Sequence, residues 1–219
     1  MKSKKLQIFI AGATGVLGRA VIRQLINSGH NVAGLSRSNA NAETLKELGA
    51  VDSGPLVERV LGLGEAAWQA NQYRQNAYEV HSDTKSLVLV FCDGWPEVTV
   101  TKETAWDDLK DLAVPLMHGI LEEHYPPHGT IIRAMAARLK AGGVITPHRD
   151  THQSFVHSHR IHIPLSTNSG VRFMINGRPH RLQVGQAYEV NNQHNHSVMN
   201  NGKEDRITYI FDYLSPKES

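Results

Sequence analysis

The chain has 219 residues, 40% of them hydrophobic, with 23 Lys and Arg against 21 Asp and Glu for a net charge of +2. That composition supplies a core and excludes global disorder, and the near-balance of charge gives no basis for a nucleic-acid or membrane-surface partner. Cys92 is the only cysteine, which excludes an intrachain disulfide and fits a reducing cytosol, and the longest apolar run, near "SLVLVFC", falls far short of the roughly 20 residues of a membrane helix.

In chain order, "LQIFIAG" (6–12) is a short apolar run of the kind that forms a buried parallel strand. Its glycines, and the lack of a small-residue cleavage site, separate it from a signal peptide. "GVLGRAVIRQLINSG" follows with helical spacing of Val16, Leu17, Ala20, Val21, Gln24 and Leu25, and Gly29 caps it. "NVAGLSRS" predicts a second strand and "NAETLKELGA" (41–50) a second helix. This βαβα order opens a doubly wound sheet. The alternation then stops at "VDSGP", so residues 1–54 are expected to be a truncated Rossmann-like fragment and 55–219 a second domain.

Gly12, Gly15 and Gly18 stand between the first strand and helix, where glycines let a pyrophosphate approach the helix N-terminus. Arg37 occupies the place where an acidic residue would favour NAD, and an arginine there suits the 2′-phosphate of NADP. The motif resembles the NAD(P)-binding start of the extended short-chain dehydrogenases and epimerases, over residues 5–52. The Tyr-x-x-x-Lys pair of that family has one match, Tyr213 with Lys217, and Pro216 argues against the helix it needs. With half of the fold missing, these residues are expected to be a structural appendage, with NADP binding as the alternative.

"LVERVLGLGEAAWQANQYRQNA" (56–77) predicts helix, broken at Gly62 and Gly64; "SLVLVF" predicts a strand, and "TAWDDLKDLAVPLMHGILEEHY" a helix with Thr104 as N-cap. From residue 130 onward the pattern is β. "HRIHIPL", "VRFMI", "RPHRLQV", "AYEVNN" and "RITYIFDYL" are predicted strands, and Asn176-Gly177 is a two-residue hairpin signal. Short strands with tight turns point to a sandwich or jelly roll.

His148 and Asp150 are two apart, a spacing that on a strand puts both side chains on one face. His196 is the best distant partner, and two His with one carboxylate make the facial triad of non-haem iron oxygenases, which leaves positions open for a cosubstrate and O2. Zinc binding or a plain structural cluster are the alternatives. Arg206, ten residues after His196, offers a bidentate clamp for a dicarboxylate. Arg160 and His162 share one strand face, while Ile161, Ile163 and Leu165 take the other, as in a strand lining a polar interior.

"AGGVITPHRD", "HRIHIPL", "VRFMINGRP", "YEVNNQHNHSVMN" and "EDRITYIFDY" resemble the aspartyl/asparaginyl β-hydroxylase family of iron- and 2-oxoglutarate-dependent dioxygenases. Including "AAWQANQYRQNAYEVHSDTKSLVLVF", the resemblance covers about residues 56–214. It implies a mainly β fold, a double-stranded β-helix (a cupin-like jelly roll) with flanking helices. It also implies Fe(II) on His148, Asp150 and His196, Arg206 on the carboxylate of 2-oxoglutarate distal to the metal, and Arg160 and His162 as further cosubstrate contacts. O2 is the second cosubstrate. The implied activity is hydroxylation of a C–H bond in a free amino acid, a peptidyl Asp or Asn or a related small metabolite, with release of succinate and CO2. The amino-terminal fragment is not part of that pattern.

His152, His157 and His159 have no partner legible in the sequence; they are either rim histidines or contacts to an anionic substrate. His180 and His194 are taken as ordinary polar positions. Trp68, Tyr73 and Arg74 suit either a substrate entrance or core packing. Asn191 and Asn192 are expected to orient the loop that carries His196, and Cys92 to be a small buried residue.

Overall fold

The computed structural model describes residues 7–11, 21, 24, 25, 28, 30–35, 44–70 and 83–216. The chain divides into two compact units, Met1–Glu43 and Thr44–Ser219. In the first, β1 (Gln7–Ala11) pairs in parallel with β2 (Asn31–Leu35), in the register Gln7↔Asn31 to Ala11↔Leu35. Val21, Gln24 and Leu25 are helical, as expected for the connection between two parallel strands. The glycine loop and Arg37 lie outside the described residues.

The second unit begins earlier than the expected boundary at residue 54. Leu45–Ala50, predicted as helix, is a strand, β3, paired antiparallel with β11 (Gln186–Val190). Its two leucines, three apart, mimic helical spacing. On the strand they serve opposite faces: Leu48 enters the larger core and Leu45 packs against the smaller one. Gly49, at φ +101°, accompanies the register shift between Ala187 and Tyr188. A free sheet edge has outweighed the helix propensity of "TLKELGA".

Next come α1 (Gly54–Gly62) and α2 (Glu65–Gln69), separated at Leu63 and Gly64, so the predicted break is present. β4 (Thr84–Asp93) and β5 (Thr99–Lys102) precede α3 (Trp106–His124). The α3 N-cap is Ala105 rather than Thr104, and no side chain caps it. The β region contains β6 (Thr130–Leu139), β7 (Val144–His148), β8 (Ser158–Ser166), β9 (Val171–Ile175), β10 (Arg178–His180), β11, β12 (His196–Asn200) and β13 (Arg206–Leu214). A one-turn helix, α4 (Gln153–Val156), links β7 to β8. The β9–β10 hairpin turns at Asn176 (φ 49°) and Gly177 (φ 72°), both in the left-handed region, as the Asn-Gly pair predicts. β10 is shorter than "RPHRLQV" because only Arg178–His180 finds a partner strand.

The strands form a seven-stranded sheet, β3-β11-β8-β13-β6-β4-β5, and a four-stranded sheet, β10-β9-β12-β7. This is the jelly-roll sandwich that the sequence led us to expect. On the outer face of the large sheet, Ile161, Ile163, Tyr209 and Phe211 pack with Leu56, Val60, Trp68, Leu109 and Met117 of the helices. Each large side chain buried there contributes about 1.5–3 kcal/mol. The smaller core between the sheets holds Leu139, Phe173, Ile175, Tyr188 and Val198. Strand alternation sends Arg160 and His162 of β8, and Arg206, Thr208 and Asp212 of β13, to the inner face. The sandwich interior is therefore apolar at its centre and charged toward both ends.

Candidate metal centre

His148 ends β7, His196 begins β12, and the two residues face each other across the ladder. Asp150 lies just beyond β7 rather than on it. It is held to the β11–β12 loop by a hydrogen bond from its backbone N–H to the Asn192 carbonyl (3.2 Å) and one from Gln193 Nε2 to its own carbonyl (3.2 Å). One ligand atom from each of His148, Asp150 and His196 falls within 4.8 Å of the others, and among the described residues this is the one such group of His, Cys, Asp and Glu.

The chemistry of each donor is set by its neighbours. His148 Nδ1 lies 2.7 Å from the Thr146 carbonyl, and His196 Nδ1 lies 2.9 Å from the His194 carbonyl. A carbonyl only accepts, so both Nδ1 atoms carry a proton, and in the neutral ring the lone pair then lies on Nε2. Burial holds the His196 imidazole below its ordinary pKa, which favours the neutral, ligating form. Burial alone would raise the Asp150 carboxyl, but the positive charge of Arg160 beside it, with the Asn192 hydrogen bond, keeps it below the usual carboxylate range. Asp150 Oδ2 accepts from Arg160 Nη1 (2.5 Å) and from Asn192 Nδ2 (3.1 Å), whereas Oδ1 lies 3.8 Å from His148 Nε2. Asn192 thus holds Asp150, and its Oδ1 also accepts from Gln193 Nε2 (3.2 Å) within the loop that leads to His196.

Arg160 does not present a free guanidinium. Its Nε and Nη2 donate to the two oxygens of Asp212 at 2.8 and 2.9 Å, its Nη1 holds Asp150, and its plane lies over Phe155 at 4.5 Å. Arg160, expected as a cosubstrate contact, is thus hydrogen-bonded to both the Asp150 and the Asp212 carboxylates. Asp212 and Arg133, which share this network, escaped the sequence reading. The one available signal was the alternation of β13, which sends Asp212 inward with Arg206.

At the opposite end of β13, Arg206 is 5% exposed, and burial lowers its pKa to about 10. It makes no ion pair among the described residues, its Nη2 is buried without a hydrogen-bond partner, and so is the Thr208 hydroxyl two residues on. Its guanidinium lies 5.8 Å from the Phe173 ring, and His162 meets the same ring edge-on at 5.7 Å. A cavity of about 390 Å³ opens beside Arg206 and Phe173, with His180 and Gln183 also on its wall. A buried cation without a counter-ion is costly, and an anion drawn into that cavity would relieve the cost.

The remaining histidines scatter. His152 caps α4 by accepting from the Ser154 N–H (3.2 Å), His157 stacks on Trp95 at 5.0 Å, and His159 Nδ1 pairs with Glu189 at 2.6 Å. His194 Nδ1 receives a hydrogen bond from Asn176 Nδ2 (2.9 Å). Trp68 is 2% exposed and belongs to the core, and Cys92 is buried; Tyr73 and Arg74 lie outside the described residues. No helix among the described residues is long and apolar enough to cross a membrane.

The family model described as aspartyl/asparaginyl beta-hydroxylase matches residues 58–216, and that of the NAD dependent epimerase/dehydratase family matches residues 8–68. Among solved structures, the nickel complex of the non-heme monooxygenase ThoJ superposes with a TM-score of 0.51 at 13% identity, over 80% of this chain and 75% of that one. The non-heme alpha ketoglutarate dependent epimerase SnoN from nogalamycin biosynthesis gives 0.50 at 12% identity, over 79% and 78%. At such identities the likeness is one of fold. An uncharacterized protein of Schizosaccharomyces pombe is 46% identical over 44 residues, 20% of this chain and 15% of its own. The Synechocystis photosystem II assembly factor Ycf39 is 47% identical over 45 residues, 20% of this chain and 14% of its own. The chain thus matches only about 15% of the length of these curated relatives.

Proposed function

The chain belongs to the aspartyl/asparaginyl beta-hydroxylase family, and from that premise we propose that its sandwich unit is an Fe(II)- and 2-oxoglutarate-dependent dioxygenase that hydroxylates a C–H bond. The reaction takes R–H, 2-oxoglutarate and O2 to R–OH, succinate and CO2. The observation that carries this reading is the convergence of His148, Asp150 and His196, with both imidazoles fixed in the ligating tautomer.

The residues fit the groups the reaction needs. Two imidazoles whose Nδ1 atoms are committed to carbonyls and one carboxylate would suit Fe(II) and would leave positions for small ligands. Bound iron supplies the oxygen activation that an unactivated C–H bond requires. The protein's own residues supply the rest. The Thr146 and His194 carbonyls keep the imidazoles oriented. Arg160 and Asn192 restrain Asp150. Arg206 and Thr208, with their unpartnered buried donors, would take the carboxylate of 2-oxoglutarate distal to the metal. His162, edge-on to Phe173, would line the path between the two ends. The substrate class we propose is a free amino acid, a peptidyl Asp or Asn or a related small metabolite.

With Fe(II) and a panel of such substrates, succinate formation requires both 2-oxoglutarate and O2, and His148→Ala or His196→Ala abolishes it. Undiminished succinate from either variant overturns the assignment. The amino-terminal unit supports a second, separate reading as an NADP-binding fragment, favoured by the match over residues 8–68. Equilibrium titration with NADPH decides it: no binding at millimolar concentration leaves a structural appendage.

A further inference from the structure

We infer that Asp212 is a positioning residue for the metal centre, acting through Arg160 to set which oxygen of Asp150 the metal meets. The inference rests on the reading of His148, Asp150 and His196 as metal ligands.

Asp212 stands directly opposite an arginine on each neighbouring strand, Arg160 of β8 and Arg133 of β6. It is fully buried, and Arg133 is 6% exposed. Arg133 Nη1 lies 3.5 Å from Asp212 Oδ2, and its Nη2 donates to Ser154 Oγ at 2.8 Å. Phe155 offers its ring to both guanidinium groups, at 4.2 Å from Arg133 and 4.5 Å from Arg160. Two arginines and two aspartates therefore make a neutral set, closed against water at Asp212 and reaching the metal centre at Asp150.

The geometry of Arg160 is what matters for chemistry. A guanidinium can clamp a carboxylate along its Nε–Nη2 edge and occupy both oxygens. Asp212 already holds that edge, at 2.8 and 2.9 Å. Only Nη1 reaches Asp150, and it takes Oδ2 alone, together with Asn192. Oδ1 is left on the side of His148. Were Asp212 neutral, Arg160 would have one carboxylate partner instead of two, and the pull of its whole charge would fall on Asp150. The acidic ligand would then be shared between a metal and an arginine clamp.

The test is equilibrium titration of the full chain with Mn(II), read by the loss of free-ion paramagnetic resonance signal, in the wild type and in Asp212→Asn, Asp150→Ala and the double variant. The expected result is a loss of Mn(II) affinity of about 10–100-fold for Asp212→Asn. The affinity of the Mn(II)-loaded protein for 2-oxoglutarate should stay unchanged, and Asp212→Asn should add no further loss in the Asp150→Ala background. Unchanged Mn(II) affinity in Asp212→Asn, or an equal loss with and without Asp150, overturns the inference. If Asp212→Asn does not fold, Arg160→Lys carries the same cycle, because a lysine cannot hold both carboxylates in one plane. Wild-type protein that binds no Mn(II), or binds it equally after His148→Ala, contradicts the metal reading itself and is thereby distinguishable.

Discussion

The two ends of β13 contrast within one sandwich interior. At the Asp212 end, two arginines and two aspartates balance in charge, although Arg133 Nε is buried without an acceptor among the described residues, and the network stops at Asp150 with one carboxylate oxygen left over. At the Arg206 end, among the described residues, a buried guanidinium has no carboxylate and two buried donors have no acceptor. The difference teaches where each ligand's charge belongs. On the function proposed, the closed end would fix geometry for a cation, and the open end would be a deficit for an incoming dianion to fill. A site built to bind a small dicarboxylate between a metal and an arginine has this asymmetry.

The contrast breaks most visibly at Asp212. Asp212→Asn leaves two buried arginines with too little negative charge, and denaturant unfolding should show a loss of about 3–5 kcal/mol. Arg206→Met removes an unpaired cation instead, so its unfolding stability should equal or exceed that of the wild type. Equal losses at both positions would erase the distinction.

Function should respond in the opposite sense. Arg206→Met should raise the 2-oxoglutarate requirement by at least about 30-fold, the equivalent of ~2 kcal/mol, with Mn(II) affinity retained. Loss of the metal with no effect on the cosubstrate would contradict its role. A related and similar-sized effect is ligand stabilisation. 2-Oxoglutarate at 100 times its Kd should stabilise the Mn(II)-loaded wild type by about 2.7 kcal/mol, and under the same conditions the gain in Arg206→Met should fall to about 0.9 kcal/mol or less.

The smallest effect lies outside both ends, on the surface. Lys85 and Arg138 hold the Glu65 carboxyl down to about pKa 2 from 4.5. Because the folded value is depressed, its contribution is complete above pH 4.5 and fades as pH falls toward 2. Glu65→Gln should remove that slight acid dependence while leaving Mn(II) and 2-oxoglutarate binding untouched, which calibrates the interior effects against a solvated pair.

The donors at the site were legible because they obey local rules. His148 and Asp150 are neighbours, Arg206 falls on a strand whose alternation is plain, and Asn176-Gly177 sets its hairpin by backbone conformation alone. The support of Asp150 was not legible. Arg160 meets Asp212 only through the register of β8 on β13, which no spacing in the sequence reveals. Its place beside His162 suggests a cosubstrate contact, and the fold adds hydrogen bonds to two carboxylates that the sequence does not reveal. β3 was misread for a similar reason: "TLKELGA" carries a helical pattern, and the edge of β11, more than a hundred residues away, decides otherwise.

The central claim is tested most directly by a crystal structure of the full chain with Mn(II) and an inert 2-oxoglutarate analogue. The account predicts one metal ion bound by His148 Nε2, His196 Nε2 and a single oxygen of Asp150, with the distal carboxylate of the analogue on Arg206 and Arg160 still on Asp212. A metal bound elsewhere, or an analogue whose distal carboxylate sits on Arg160 with Arg206 unengaged, would contradict it.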